Sequence, residues 1–262
     1  MWRPALVLLA WPALQLQLLL LGAMSLGWSL AALLLYPLLP RAQGLRIGRL
    51  MISRGYAVFW LIARCSGMLR LNAAVLDTLR DEPGLVIAAN HPSMLDAVML
   101  VAHLPRSACI MKAGLMRNPF LGPGARLARY ICNDSPRGMV RLAVADLQQG
   151  GQLVLFPEGT RTTVRPVGDF GAAFTLIAKR AQAPIQMVFI DTDSPYLGKG
   201  WPLWKLPPLP IVFTVRLGRR FAPAADHLAL QRDIQACMAA GVHHPAQARA
   251  AAPAQARQVG LP

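Results

Sequence analysis

From Pro4 to Pro40 the chain carries no charged side chain, and Leu, Ala and Trp dominate the run. As one helix it would extend about 55 Å, against about 30 Å of hydrocarbon in a bilayer. Two arrangements absorb the excess: one span with a long interfacial lead-in, or two short helices turning near Gly22 to Gly27. Ser25, Gly27 and Ser29 would let helices pack closely. A cleaved signal peptide is the competing reading, because Arg3 precedes an apolar stretch; the run is too long for one. Membrane attachment is the expectation.

The next stretch is basic. Arg41, Arg46, Arg49, Arg54, Arg64 and Arg70 all precede the first acidic residue, Asp77. Positive charge just beyond a hydrophobic segment marks the cytoplasmic side. Leu45, Ile47, Leu50, Met51, Val58, Phe59 and Leu61 recur at roughly helical spacing. That pattern fits a basic amphipathic helix in the headgroup layer, and equally a core helix with a solvated charged face.

The whole chain has 27 basic against 12 acidic residues, a net charge of +15, and 55% hydrophobic residues. High hydrophobicity excludes disorder. The charge suits an anionic membrane surface. Nucleic acid is the weaker alternative, because the charge lies beside apolar runs and no reader motif occurs. Cys65, Cys109, Cys132 and Cys237 are scattered without metal-ligand spacing, which fits free thiols in a reducing cytoplasm.

From Leu69 the pattern is α/β. Strands are expected over 69–76, 85–89, 108–111, 130–132, 152–156, 185–190 and 211–217. Helices are expected over 93–104, 136–149, 170–181 and 226–240, the last capped by Gly241. Residues 113–129 read as a stretch broken by Pro119, Gly122, Pro123 and Gly124. Such alternation implies a mostly parallel sheet flanked by helices. The expected organisation is a membrane-attachment segment over 1–40, a helix or a helical hairpin. A basic amphipathic segment follows over 41–68, then an α/β domain over 69–240 and a flexible tail over 241–262. His243-His244 falls in that tail, where metal binding is the lesser reading.

Two short blocks carry the chemistry. Asn90-His91-Pro92-Ser93-Met94-Leu95-Asp96 stands where the apolar run 85–89 stops, with a helix expected from Pro92 or Ser93 and Asn90 or Ser93 as its cap. Asp96 would lie about one turn on, where its carboxylate can fold back and orient the imidazole as a general base for an alcohol. Phe156-Pro157-Glu158-Gly159-Thr160-Arg161-Thr162 follows the buried run 153–155. Ligands of open α/β sheets bind beyond the carboxyl ends of strands, so parallel strands would bring both blocks to one rim. There Gly159 lets a ligand approach the backbone, Thr160 and Thr162 offer hydroxyls, and Arg161 offers a phosphate fork.

Together, N-H-P-S-x-x-D and F-P-E-G-T-R resemble the glycerophospholipid acyltransferase family, of the 1-acylglycerol-3-phosphate acyltransferase type. The resemblance covers roughly 69–217. It extends to Lys112, Pro119, Phe120 and Gly122 between the blocks and to Ala183-Pro184-Ile185 after them. It implies a glycerol-3-phosphate acyltransferase-like fold and acyl transfer from acyl-CoA or acyl carrier protein to the hydroxyl of a lysophospholipid. His91 would be the base, Asp96 its orienting partner, and Glu158, Gly159, Thr160, Arg161 and Lys112 the substrate-binding set. No cofactor or metal is implied, and no G-x-S-x-G elbow occurs. One departure concerns the acceptor. Many members carry a basic residue where this chain has Asn133-Asp134, and similar chains of carrier-protein-linked acyl or polyene pathways share that pair. Another lipid or pathway-specific alcohol (a glycolipid, an amino-lipid, a polyene-type acceptor) is therefore the alternative, with a non-catalytic membrane-surface binder behind it.

Overall fold

The computed structural model describes residues 4–163 and 166–242. Among these, seven strands form one sheet: β1 (Leu69–Asn72), β2 (Leu85–Ala89), β3 (Ser107–Met111), β4 (Ile131–Cys132), β5 (Gln152–Leu155), β6 (Ile185–Thr192) and β7 (Ile211–Phe221). Their order is β1-β7-β6-β2-β5-β3-β4, and every neighbouring pair is parallel except β6 with β7. A parallel return requires a crossover, usually a helix. The 193–210 connection contains none, and β7 comes back antiparallel. β2 and β5 are buried at every position, as a central strand covered on both faces must be.

The covering helices are α1 (Pro4–Leu38), α2 (Arg41–Cys65), α3 (Asp96–His103), α4 (Ala113–Arg117), α5 (Gly122–Leu127), α6 (Pro136–Gln148), α7 (Ala173–Ala181) and α8 (His227–Gly241). Alternate strand residues divide between two cores. Ile87 and Ala89 face one with Phe59, Met99 and Phe213, on the side of α2 and α3. Val86 and Ala88 face the other with Phe174 and Ile234, on the side of α7 and α8. The mostly parallel, helix-flanked sheet expected from the sequence is the one found.

Several boundaries differ from expectation. α1 is a single helix with no turn near Gly22 to Gly27. A mid-helix glycine costs only about 1 kcal/mol, and the leucines and alanines around it are strong helix formers. The strand expected over 69–76 stops at Asn72 and gives way to a 3-10 turn, Ala74–Leu79. The stretch expected to be broken contains α4 and α5, with Pro123 tolerated in the first turn of α5. α7 starts at Ala173, β7 runs on to Phe221, and Gly241 is the last residue of α8 instead of its cap. The tail beyond Val242, with His243-His244, lies outside the described residues.

α1 and α2 pack against the domain lengthwise. Gln17 Nε2 donates to Ser66 Oγ, Ser29 Oγ donates to Phe120 O, and the Arg129 guanidinium lies 5.1 Å from the Tyr36 ring centroid. α2 approaches α5 at Gly48, where a Cβ would stand 2.6 Å from Ala128 N. Beside it the buried Arg49 donates to Ala128 O, Arg106 O and Asp146 Oδ1, so its charge is paired and each guanidinium nitrogen makes a bond. α2 buries Phe59, Trp60 and Ala63 in the core, while Ile47, Leu50, Met51, Val58, Leu61 and Ile62 face outward. Among the described residues one helix, Leu9–Leu38 within α1, is long and apolar enough to cross a membrane.

Candidate active site

β2 and β5 are adjacent and parallel, so the two sequence blocks leave the sheet side by side at one rim. Asn90 sets the exit of the first. Its Nδ2 donates to Ile190 O at 2.9 Å and its Oδ1 accepts from Ile190 N at 2.7 Å, so the carboxamide acts as one more peptide group towards β6. Asn90 therefore caps no helix. α3 begins at Asp96, three residues later than Ser93, and Leu95 occupies its cap position. Pro92 to Leu95 form a tight bend instead, in which Ser93 Oγ accepts from Leu95 N and donates to Tyr196 O.

This bend brings the pair together. His91 Nδ1 lies 2.8 Å from Asp96 Oδ2, which also accepts the Ser93 N–H at 2.8 Å. An ionised carboxylate accepts only, so Nδ1 carries the proton and Nε2 is left for an incoming group. The imidazole lies flat on the Phe156 ring, with centroids 3.9 Å apart and planes at 15°. Asp96 is wholly buried, and its Oδ1 has no hydrogen-bond partner. Burial pushes this carboxyl above the ordinary carboxylate value. The His91 hydrogen bond and charge, the Ser93 N–H and the Arg161 charge act in the opposite direction without cancelling it.

The second block folds back onto the first. Thr162 N donates to His91 O at 2.8 Å, and His91 N donates to Thr162 Oγ1 at 3.4 Å. Glu158 faces inward: Oε1 accepts from Thr162 Oγ1 at 2.6 Å and Oε2 from Gly168 N at 2.9 Å. Its carboxylate thus shapes the loop that carries Gly159 and Thr160. Gly159, exposed at φ +65, supplies the left-handed residue of that turn. Thr160 is half-buried beside it. Arg161 Nη1 donates to Leu197 O at 2.8 Å and Gly198 O at 3.0 Å, reaching the segment that leaves β6. Lys112 follows β3, one strand beyond β5, and is exposed.

Three contributors escaped sequence reasoning. The Phe156 ring under the imidazole, the Ser93 N–H on Asp96 and the Tyr196–Gly198 wall all arise from chain proximity. Only Phe156 had a signal, its place at the end of a predicted strand.

Residues 70–191, which span both blocks, match the model of the acyltransferase family. A 1-acyl-sn-glycerol-3-phosphate acyltransferase of Pseudomonas aeruginosa is 25% identical over 193 residues, covering 70% of this chain and 72% of that protein. One of the same description from Helicobacter pylori is 33% identical over 144 residues, 49% of this chain and 58% of its own length. In fold, the chain resembles the crystal structure of the 1-acyl-sn-glycerophosphate (LPA) acyltransferase PlsC from Thermotoga maritima. The TM-score is 0.59 at 19% identity, over 85% of this chain and 93% of that one.

Proposed function

We propose that the chain transfers a fatty acyl group from a thioester, acyl-CoA or acyl carrier protein, to the free hydroxyl of a 1-acylglycerol-3-phosphate. The observation that carries this reading is the 2.8 Å bond between His91 Nδ1 and the buried Asp96, which leaves Nε2 at the rim. In the proposed step Nε2 takes the hydroxyl proton as the oxygen attacks the thioester carbonyl. The C–O bond forms, the C–S bond breaks, and the imidazolium returns its proton to the departing thiolate. The thioester is already activated, so no covalent enzyme intermediate is required. Asp96 holds the tautomer and stabilises the imidazolium.

In this reading Gly159 and Thr160 approach the acceptor phosphate, with Arg161 and Lys112 supplying positive charge. Glu158 contributes by holding that loop in shape. The acyl tail has an apolar cavity of about 60 Å³ between α1, α2 and α5, lined by Leu21, Met24, Trp28, Ile52, Gly55 and Met111. Met111 ends β3, at the same rim as His91. The reading places the active site at the cytoplasmic face of the membrane, with α1 and the outward stripe of α2 against lipid. Leu16, Leu19, Leu30, Leu33 and Leu34 on α1 are all exposed, which suits that contact.

One observation favours a second acceptor. Asn133 and Asp134 follow β4 and are exposed, so an acid stands where many family members place a base. An amino-lipid, glycolipid or other pathway-specific alcohol would meet less repulsion there than a phosphate would.

The test is transfer by purified protein across a panel of lysolipid and lipid-alcohol acceptors with both thioester donors. His91→Ala is expected to lower kcat by about a thousandfold. Wild-type rates in His91→Ala would refute the mechanism, and a preferred acceptor lacking phosphate would select the second reading.

A further inference from the structure

The connection between β6 and β7 has two unlike halves. The first is held from three directions at the active-site rim. Ser93 Oγ donates to Tyr196 O at 3.0 Å, and Met94 N donates to Leu197 O at 3.0 Å. Arg161 Nη1 binds both Leu197 O and Gly198 O. Leu197 sits at φ +57, a left-handed conformation that a leucine keeps only where its surroundings enforce it. Tyr196 and Leu197 are each 2% exposed. Between them the two candidate blocks grip Tyr196, Leu197 and Gly198, and both hold Leu197.

The second half, Lys199-Gly200-Trp201-Pro202-Leu203-Trp204-Lys205, does the opposite. Leu203 is 51% exposed, and Trp204, at 78%, exceeds every other large apolar side chain described. The backbone beneath them is nonetheless anchored. Gln15 Nε2 of α1 donates to Leu203 O at 2.7 Å, and Trp11 Nε1 donates to Trp204 O at 2.8 Å. Lys205 Nζ stands 5.1 Å from the Trp201 ring centroid. The backbone is thus held in a shape that presents an indole and a leucine outward between two lysines.

Indole rings favour the boundary between headgroups and hydrocarbon, and lysine stems reach from there to phosphates. The neighbouring surface matches. Trp11, Leu16 and Leu19 of α1 are exposed beside this loop, on the helix that is long and apolar enough to enter a membrane. The loop's own two cations suit an anionic surface. Continuity with α1, together with that charge, selects a lipid surface as the occupant.

We propose that residues 199–205 form a second bilayer contact, separate from the helical pair α1–α2, in the same connection as the Tyr196–Gly198 wall of the active site. The contact would then hold the active-site rim against the lipid surface that supplies the acceptor. The catalytic half of this proposal rests on the acyltransferase reading above; the binding half does not.

Full-length protein on vesicles of phosphatidylcholine and phosphatidylglycerol provides the test. Lipids brominated near the headgroup should quench tryptophan emission, and Trp204→Phe should remove a measurable share of the quenched signal. Leu203→Glu/Trp204→Glu should lower transfer to a vesicle-embedded acceptor at least tenfold, yet leave transfer to a water-soluble short-chain acceptor within twofold. An unchanged thermal midpoint would show that the double variant is folded. Equal quenching in wild type and Trp204→Phe would overturn the proposal. So would equal losses on both acceptors, or a change in oligomeric state with vesicle activity retained, which would assign the patch to a protein partner. If wild type transferred to neither acceptor, the acyltransferase reading would fail, and the quenching comparison would still decide the membrane contact.

Discussion

The imidazole of His91 rests on the ring of Phe156, 3.9 Å between centroids and 15° from coplanar, although the two residues leave different strands. The stack joins the two sequence blocks through their side chains, just as Thr162 joins them through the backbone. Ring orientation at His91 is therefore set twice, by the Asp96 carboxylate at its edge and by Phe156 on its face.

Phe156→Leu should keep the hydrogen bond to Asp96 but free the imidazole to tilt. Stacked pairs contribute about 0.5–1.5 kcal/mol beyond burial. The expected result is a fall in kcat of about tenfold with the acceptor KM little changed, measured by steady-state kinetics. A rise in KM with kcat intact would mean that Phe156 contacts the acceptor instead.

Asp96→Asn should separate stability from activity. The Asp96 carboxyl sits above its ordinary value of 3.8 because burial penalises the charge. A raised folded value means that its favourable contribution is complete below the unfolded value. That contribution is lost as pH rises through the folded value. Relative to Asp96→Asn, the wild type should therefore lose stability from about pH 4 upward, until the carboxyl is fully ionised. The variant's thermal midpoint should equal or exceed that of wild type at pH 8, with the gap narrowing towards pH 4. Its kcat should fall by about a hundredfold or more. A gap that widens on acidification would contradict the direction of the shift.

Asn90→Ala removes both bonds to Ile190 and leaves that residue's buried N–H and C=O without this partner. A cost of about 2–4 kcal/mol is expected in denaturant unfolding. Asn90→Asp keeps the acceptor but loses the donor and adds a buried charge, so it should be at least as damaging. Wild-type stability in both variants would refute the bridging role.

Gly55→Leu tests the apolar cavity. A Cβ at Gly55 meets nothing within 4 Å, and the residue lines the space beside Ile52 and Met111. Helix propensity alone favours the change by up to about 1 kcal/mol, so folding should be unaffected. Transfer from the longest acyl donors should fall about tenfold while short donors react as before. Equal rates at every chain length would exclude the cavity as the acyl site.

Much of this was local information. A run without charge from Pro4 to Pro40 has to find an apolar environment. The buried runs 85–89 and 152–155 have to be central strands, because nothing else covers both their faces. The spacing of His91 and Asp96 within one bend likewise marked a candidate pair, since both ends lie on the same short piece of chain. What periodicity misread was also local in cause. The 69–76 run has the composition of a strand but turns at Ala73, and in 113–129 a helix forms around Pro123 because that proline falls in the first turn of α5, where its missing N–H costs nothing.

The tertiary structure decided everything that needed two distant segments. Strand order put β2 beside β5 and so stacked Phe156 on His91. It turned Asn90 from a helix cap into a bridge to β6, and it turned the Glu158 carboxylate inward to hold a loop. It also gave the Arg161 fork two carbonyls of a segment that no sequence pattern connected to the site. Side-chain chemistry and periodicity are written in the order of residues. Which strand ends become neighbours is settled only when the hydrophobic faces are buried together.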